Sequence, residues 1–455
     1  MPTPTHDAVL QALRAVQDPD LHRDIVTLGF VKNLKVAGGE VSLDIELTTP
    51  ACPVKETMRE EAARALRTVP GVSSVQVNMT AQVRPGAVTP SEGGMRRVKN
   101  AIAVASGKGG VGKSTVATNL ALALARSGAA VGLMDADVYG PSVPVMLGGT
   151  GARPQQANEQ GWILPVDRHG VRFMSMGLLT GRDTPVIWRG PMATKLIQQF
   201  LGQVDWGELD YLLIDLPPGT GDVQLTLTQS APLTGAVIVT TPQEVAVGIT
   251  LRGLRMFEQV QVPVLGIVEN MSRFVCSHCG QSTDVFRHGG GRRAAGELGI
   301  PFLGEVPLDA AVAAAGDSGV PVIAAEPDSA SAKAFLEIAG RLAREISTVN
   351  ERTAAVRHRP AEAQIRPDGV EIKWTDGAVS LYPHRDLRLA CPCALCVDEW
   401  TGRPRLDHST VPRDVRVADL HPVGRYALQF GFSDGHATGI YSYDKLRTLD
   451  PALRT

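Results

Sequence analysis

Between residues 98 and 348 the chain repeats one unit, a short apolar run followed by a longer stretch with helical spacing. Runs at 101–105, 130–134, 171–175, 210–215, 235–240, 263–268 and 301–305 are mostly uniformly apolar. A strand without a polar face is buried on both sides, so these runs predict a parallel sheet covered by helices. The pattern before residue 85 differs. Val41-Ser42-Leu43-Asp44-Ile45-Glu46-Leu47 alternates strictly, which predicts a strand with one dry face and one wet face. A partner strand over 28–36 joins it through the turn Ala37-Gly38-Gly39-Glu40, and a helix over 54–67 and a strand over 72–79 complete a small α+β unit.

Two interruptions divide the chain. Arg84 to Gly94, with Pro85, Gly86, Pro90, Gly93 and Gly94, reads as a linker. A last helix is expected over 331–346, and the polar run 349–360 reads as a second linker. Strand signals return at 370–374 and 426–430. The expected organisation is therefore an α+β domain over 1–85, a linker over 86–97, an α/β parallel-sheet domain over 98–348, a linker over 349–361 and a small β-rich domain over 362–455.

Composition narrows the picture. The formal net charge of −2 gives no electrostatic footprint for nucleic acid. No apolar run reaches the roughly 18 residues that a membrane span needs. Met1-Pro2-Thr3-Pro4-Thr5-His6-Asp7 lacks the basic and apolar regions of a secretory signal, so a cytoplasmic location is expected. Of six cysteines, Cys276 and Cys279 form one tight group and Cys391, Cys393 and Cys396 another, with Cys52 alone. Such grouping is the pattern of metal ligands rather than of a disulfide framework.

The stretch Gly107-Lys108-Gly109-Gly110-Val111-Gly112-Lys113-Ser114-Thr115 lies between the apolar run 101–105 and an Ala/Leu-rich helical stretch over 116–126. That is a phosphate-binding P-loop in its required setting: glycines let backbone N–H groups close around phosphates, and the next helix aims its positive end at them. Lys113 supplies a charge to the β/γ oxygens of ATP and Ser114 a hydroxyl for Mg²⁺. The next strands deliver Asp135-Ala136-Asp137 and Asp215 to the carboxyl edge of the sheet, where ligands bind. Asp215 is assigned to the Mg²⁺ shell, Asp137 to positioning or activating the attacking water, and Asp135 to support. Pro218-Gly219-Thr220-Gly221 reads as a hinge that senses the γ-phosphate.

Cys276 and Cys279 supply two soft ligands, suited to iron–sulfur or zinc, whereas a cluster or closed zinc site takes about four. One chain cannot complete the set from this motif, but two chains on a two-fold axis can. A redox disulfide is the other use of such a pair.

The double-lysine loop, Asp135-Ala136-Asp137 and Asp215-Leu216-Pro217-Pro218-Gly219-Thr220-Gly221-Asp222 together resemble the MinD/ParA/nitrogenase iron protein class of P-loop ATPases. Ile267-Val268-Glu269-Asn270-Met271-Ser272 followed by Cys276-Ser277-His278-Cys279-Gly280 resembles the Mrp/ApbC iron–sulfur cluster carriers within it. The resemblance implies that Lys108 reaches across a homodimer to the partner's nucleotide and that Asn270 contacts the adenine. It also implies a [4Fe–4S] cluster on Cys276 and Cys279, with apo iron–sulfur proteins and a cluster-assembly scaffold as partners.

In the first domain, Asp18-Pro19-Asp20, Asp24-Ile25-Val26-Thr27-Leu28-Gly29 and Thr48-Thr49-Pro50-Ala51-Cys52-Pro53 resemble a small iron–sulfur assembly-factor domain. Cys52, just before a helix, is placed to have an available thiolate or else to be a small packed side chain. In the last domain, Cys391-Pro392-Cys393-Ala394-Leu395-Cys396 with Asp434-Gly435-His436-Ala437-Thr438-Gly439-Ile440-Tyr441 resembles the N-terminal zinc-binding domain of γ-butyrobetaine hydroxylase. Zn²⁺ on three cysteines and His436 is expected. His384 and His421 are rival fourth ligands, and an iron–sulfur cluster is the alternative occupant. The function expected is an ATP-hydrolysing carrier that transfers clusters to apo-proteins. The rivals are a MinD/ParA-like spatial organiser, which has no use for Cys276 and Cys279, and an ATP-dependent electron donor.

Overall fold

The computed structural model describes residues 4–450 apart from 19–22, 53, 87–92, 139, 157–160, 180–189, 220–223, 225–226, 229, 277–278, 280, 356–359, 376, 394, 398–404 and 424–426. One compact unit spans Met1–Thr228 and Leu233–Asn350, and a second Gln229–Pro232 and Glu351–Thr455.

The first unit begins with helix α1 (His6–Leu13), strands β1 (Val31–Ala37) and β2 (Glu40–Leu47), helix α2 (Lys55–Arg67) and strand β3 (Ser74–Ala81). The strands lie in the order β1-β2-β3, antiparallel then parallel. Val41, Leu43, Ile45 and Leu47 are buried while Ser42, Asp44 and Glu46 are half-exposed, so the strict alternation has its predicted effect. Met58, Ala62 and Leu66, four residues apart on α2, close that dry face.

The sheet that dominates this unit has eight strands. They are β4 (Val98–Ser106), β5 (Val131–Asp135), β6 (Val166–Arg168), β7 (Val171–Ser175), β8 (Leu209–Asp215), β9 (Leu233–Thr240), β10 (Val264–Glu269) and, after a small hairpin, a last strand Phe302–Glu305. The hairpin pairs β11 (Phe274–Val275) with β12 (Ser282–Thr283), so the last strand is β13. The order is β6-β7-β5-β8-β4-β9-β10-β13, parallel throughout except for β6. Every residue of β9, and all but Asp210 in β8, is buried, as uniform apolarity predicts for a sheet covered on both faces. All seven runs read from the sequence are strands of this sheet.

A long helix, Ala330–Ala355, continues well past the expected end at residue 346, through much of the polar run read as a linker. Polarity alone does not end a helix, and no Gly or Pro intervenes before Pro360. Asn350 is buried there and donates to Asn100 Oδ1 at 2.8 Å and Arg84 O at 3.3 Å. Those bonds fasten the polar segment to the sheet.

The second unit holds two antiparallel three-stranded sheets. The first contains β14 (Pro360–Arg366), β15 (Gly369–Trp374) and β16 (Val379–Pro383); the other β17 (Val417–Val423), β18 (Ala427–Phe432) and β19 (Gly439–Ser442). Val370, Ile372, Trp374, Tyr382, Phe430 and Tyr441 form its core, and Cys391 and Cys396 are buried within it.

Candidate functional site

The P-loop leaves the carboxyl end of β4, and helix α3 (Lys113–Arg126) starts behind it. Gly112 forms the junction at φ +76°, a left-handed conformation that favours glycine. A Cβ there would lie 2.3 Å from Asn270 Nδ2, so side chains are excluded by space as well as by torsion. Asn270, which the resemblance assigns to the adenine, is buried behind the loop and donates to Val111 O at 2.9 Å. It braces the phosphate loop.

The loop wraps a cavity of about 210 Å³, to which Asp137, Ser142, Met146 and Pro218 also contribute. Lys113 Nζ donates to Asp215 Oδ1 at 2.5 Å and to Ser114 Oγ at 3.3 Å. The three side chains assigned to phosphate and Mg²⁺ therefore meet at one point. Asp215 Oδ2 is buried without a hydrogen-bond partner among the described residues. A buried carboxylate oxygen left open beside a hydroxyl is the donor chemistry that Mg²⁺ and its waters require. Burial pushes the Asp215 carboxyl up, against the pull of Lys113. Asp135 is also buried and, repelled by Asp215, is pushed up to about 7. Its oxygens accept from Ser175 Oγ at 2.9 Å, Asp137 N at 3.1 Å and Val143 N at 3.3 Å. Asp135 thus supports the backbone that carries Asp137, whose own Oδ1 accepts from Gly140 N at 3.2 Å.

Lys108 projects from the loop, and its Nζ donates to Gln243 Oε1 of the same chain at 3.1 Å. Gly219 follows Pro218 at φ +97°, and its N–H donates to Ser106 O at 3.1 Å. Thr220 and Gly221, the rest of the expected hinge, lie outside the described residues.

The hairpin β11–β12 rises beyond the end of β10, so it stands at the same carboxyl edge of the sheet as the P-loop. Cys276 is half-buried and Cys279 exposed, and Cys276 N donates to Gln281 O at 3.0 Å. His278 lies outside the described residues. Phe274, Val275 and Val285 around the pair are exposed apolar side chains. Below the hairpin, Arg273 donates to Glu305 Oε1 at 2.6 Å and His288 meets Glu305 Oε2 at 2.9 Å. Burial works against the Glu305 charge, but these bonds outweigh it and hold the carboxyl below its ordinary value. Buried Glu269 accepts from Gly289 N at 3.0 Å and Gly291 N at 2.6 Å, at the start of helix α4 (Gly290–Leu298). Glu269 lies within the quoted motif, but Arg273, His288 and Glu305 belong to no motif and the sequence reading missed them.

Cys52 is half-buried in the first domain. It follows Thr49, whose Oγ1 accepts from the buried hydroxyl of Tyr211 at 3.0 Å. Tyr211 sits four residues before Asp215, about 13 Å back along β8, towards the edge opposite the P-loop.

In the second unit, Cys391, Cys393, Cys396 and His436 converge, with their ligand atoms all within 4.8 Å of one another. His436 Nε2 lies 3.1, 3.5 and 3.8 Å from the three sulfurs in that order. A tetrahedral zinc ion holds S and N ligands roughly 3.5 Å apart, so the set fits Zn²⁺ in donor type and spacing. The rival histidines are engaged elsewhere: His384 contacts Arg366 O and accepts from Val417 N, and exposed His421 meets Asp419. Burial pushes the Cys391 thiol up to about 12, so metal must displace a proton there. Burial opposes the Cys393 thiolate too, yet hydrogen bonding from Thr438 and neighbouring groups holds that thiol below its ordinary value. Sequence reading missed the support. Buried Arg388 donates to Cys396 Sγ at 3.5 Å and to Asp434 Oδ2 at 2.7 Å, and Asp434 Oδ1 accepts from His436 N at 3.1 Å. A Cβ at Gly439 would stand 2.7 Å from Cys391 Sγ.

Comparison with known proteins accords with this geometry. Residues 97–343 match the ParA family model described as "NUBPL iron-transfer P-loop NTPase". The chain belongs to this family of P-loop ATPases. Residues 6–79 match the model for an iron–sulfur cluster assembly protein, and 362–447 the N-terminal γ-butyrobetaine hydroxylase-like model. A Synechocystis protein named "Iron-sulfur cluster carrier protein" is 53% identical over 346 residues, 75% of this chain and 98% of that protein. A rice protein named "Fe-S cluster assembly factor HCF101, chloroplastic" is 41% identical over 447 residues, 97% of this chain and 82% of that protein. Among solved structures, a nucleotide-binding protein from Archaeoglobus fulgidus in complex with ADP is 42% identical and covers 50% of this chain and 88% of its own, with a TM-score of 0.45. Among the described residues no helix of this P-loop ATPase is long and apolar enough to cross a membrane.

Proposed function

We propose that this chain is an ATP-dependent carrier that holds a [4Fe–4S] cluster between two copies of itself and passes it to apo-proteins in the cytoplasm, taking its cargo from a cluster-assembly scaffold. The observation that carries the reading is a half set of thiolates, Cys276 and Cys279, standing accessible at the same sheet edge as the P-loop of an iron-transfer ATPase. Two ligands per chain and about four per cluster make the dimer a stoichiometric requirement.

The residues divide the work. The glycines of 107–112 and the amino end of α3 cradle the triphosphate, with Lys113 adding charge. Ser114 and Asp215 hold Mg²⁺, which neutralises developing phosphate charge. Asp137 orients water, and Lys108 leaves Gln243 to meet the partner's nucleotide when two copies face each other. Exchange of that internal contact for one across the interface gives ATP a differential hold on the paired arrangement, which coupling requires. Zn²⁺ on Cys391, Cys393, Cys396 and His436 holds the last domain together and takes no part in transfer.

Anaerobic reconstitution with ferrous iron and sulfide tests the reading. About four irons per dimer are expected, lost in Cys276→Ser, with dimerisation promoted by ATP and weakened in Lys108→Ala. A monomer that seats iron, or a Cys276→Ser protein that loads and transfers normally, would sink the proposal.

A further inference from the structure

The small sheet of the first domain has two unlike edges. On β1, Lys32 and Lys35 flank a register shift, and Asn33 between them takes φ +48°. Charge and irregularity of this kind protect an edge strand from pairing with other chains. On β3, the sequence Ser74-Val75-Gln76-Val77-Asn78-Met79-Thr80-Ala81 contains no charge and no proline, and its pairing with β2 is unbroken over eight residues. Among the described residues β3 pairs with β2 alone, so its outer row of backbone donors and acceptors has no strand partner.

A groove of about 590 Å³ lies between this strand and α2. Val75, Gln76 and Val77 contribute one side, and Arg59, Glu60, Arg64 and Arg67 of α2 the other. Arg59 is paired with Glu56 at 2.6 Å, which leaves Glu60 as the acid inside the groove. Exposed Arg64 and Arg67 make no ion pair among the described residues. Arg64 and Arg67 therefore line a groove beside an uncharged strand edge. Guanidinium groups recognise carboxylates through paired N–H donors, and an open edge recognises extended backbone.

We infer that this groove docks an extended acidic segment of a partner protein, which adds to the sheet beside β3 and turns alternate carboxylates toward Arg64 and Arg67. Main-chain hydrogen bonds along β3 supply affinity, and the arginines select acidic over basic sequences. The site lies on the first domain and needs neither nucleotide nor iron, so it stands or falls separately from the carrier reading.

Fluorescence polarisation on the full chain tests it, using a labelled peptide that alternates glutamate and valine. Three controls accompany it: a lysine–valine counterpart, the acidic peptide N-methylated at alternate amides, and unlabelled single-stranded DNA as competitor. The acidic peptide is expected to bind, and Arg64→Glu with Arg67→Glu to weaken it about tenfold or more, with Arg64→Gln and Arg67→Gln giving a smaller loss in the same direction. Both residues are exposed, so the fold is expected to survive. Equal affinity for the basic peptide, indifference to the charge reversal or to N-methylation, or preferential displacement by DNA would each overturn the assignment.

Discussion

The two cysteine groups of this chain differ in completeness and in burial. Cys391, Cys393, Cys396 and His436 form a closed set inside one domain, with two sulfurs buried in its core, Arg388 donating to the Cys396 sulfur and Asp434 accepting from the His436 backbone N–H. Cys276 and Cys279 form an open half set on a hairpin tip, with exposed apolar neighbours. A closed set with supporting hydrogen bonds holds its ion tightly and makes that binding part of folding. An open pair cannot retain a cluster without a second chain, and what it cannot retain alone it can release. On the proposed reading, ligand count and burial separate a permanent metal from a cargo within one polypeptide.

The hardest test removes the closed set. Cys391→Ala should abolish zinc binding and unfold the last domain, since zinc binding to such sites contributes on the order of 10–16 kcal/mol at neutral pH. Iron loading on Cys276 and Cys279 should persist. Metal analysis with near-ultraviolet circular dichroism would read both, and loss of iron together with zinc would show that the two groups are not independent. The reciprocal variant, Cys279→Ser, should lose iron while keeping one zinc per chain. Because Cys279 is exposed, its thermal stability should stay within about 0.5 kcal/mol of the parent protein.

The cysteines of both groups were legible from their spacing and His436 from the resemblance of its segment, while the seven apolar runs were legible because a strand buried on both faces has no polar position to disguise it. The meeting of Lys113, Ser114 and Asp215 followed from the rule that strand tips gather at one edge. What escaped reading depends on contacts between distant residues. Asn350, in the helix that runs into the expected linker, bonds to Asn100, some 250 positions away. Asn270 supports the phosphate loop through Val111, a relation that no local pattern encodes. Arg388 precedes the cysteines by three positions, but its role needs Asp434 on a hairpin far along the chain.

Arg388 sharpens the comparison at intermediate cost. Arg388→Met keeps the length of the stem and removes the bonds to Cys396 and Asp434, and loss of a supporting partner typically weakens metal affinity 10–100-fold, or about 1.4–2.8 kcal/mol. Competition against a zinc chelator would measure this. A loss confined to zinc, with iron loading and ATP hydrolysis unchanged, is expected. An unchanged zinc affinity would mean that the four ligands alone define the site.

The smallest effect is expected where the open pair meets the sheet. Glu305 joins Arg273 and His288 beneath the hairpin, but the Arg273 side chain is 42% exposed, so solvent screens the pair. Glu305→Gln should therefore cost only about 0.2–1 kcal/mol of local stability. Because the folded state holds the Glu305 carboxyl below its ordinary value of 4.5, its contribution is full above that value and fades as pH falls through the lowered one. Hydrogen exchange at the Cys276 amide in metal-free protein should therefore accelerate slightly in Glu305→Gln at neutral pH. The difference should vanish in acid, once the parent carboxyl is protonated. A large effect at neutral pH would mean that the hairpin is set by its base rather than by the strand pairing of β11 with β12, and the open pair would then be less independent of the sheet than the closed set is of its surroundings.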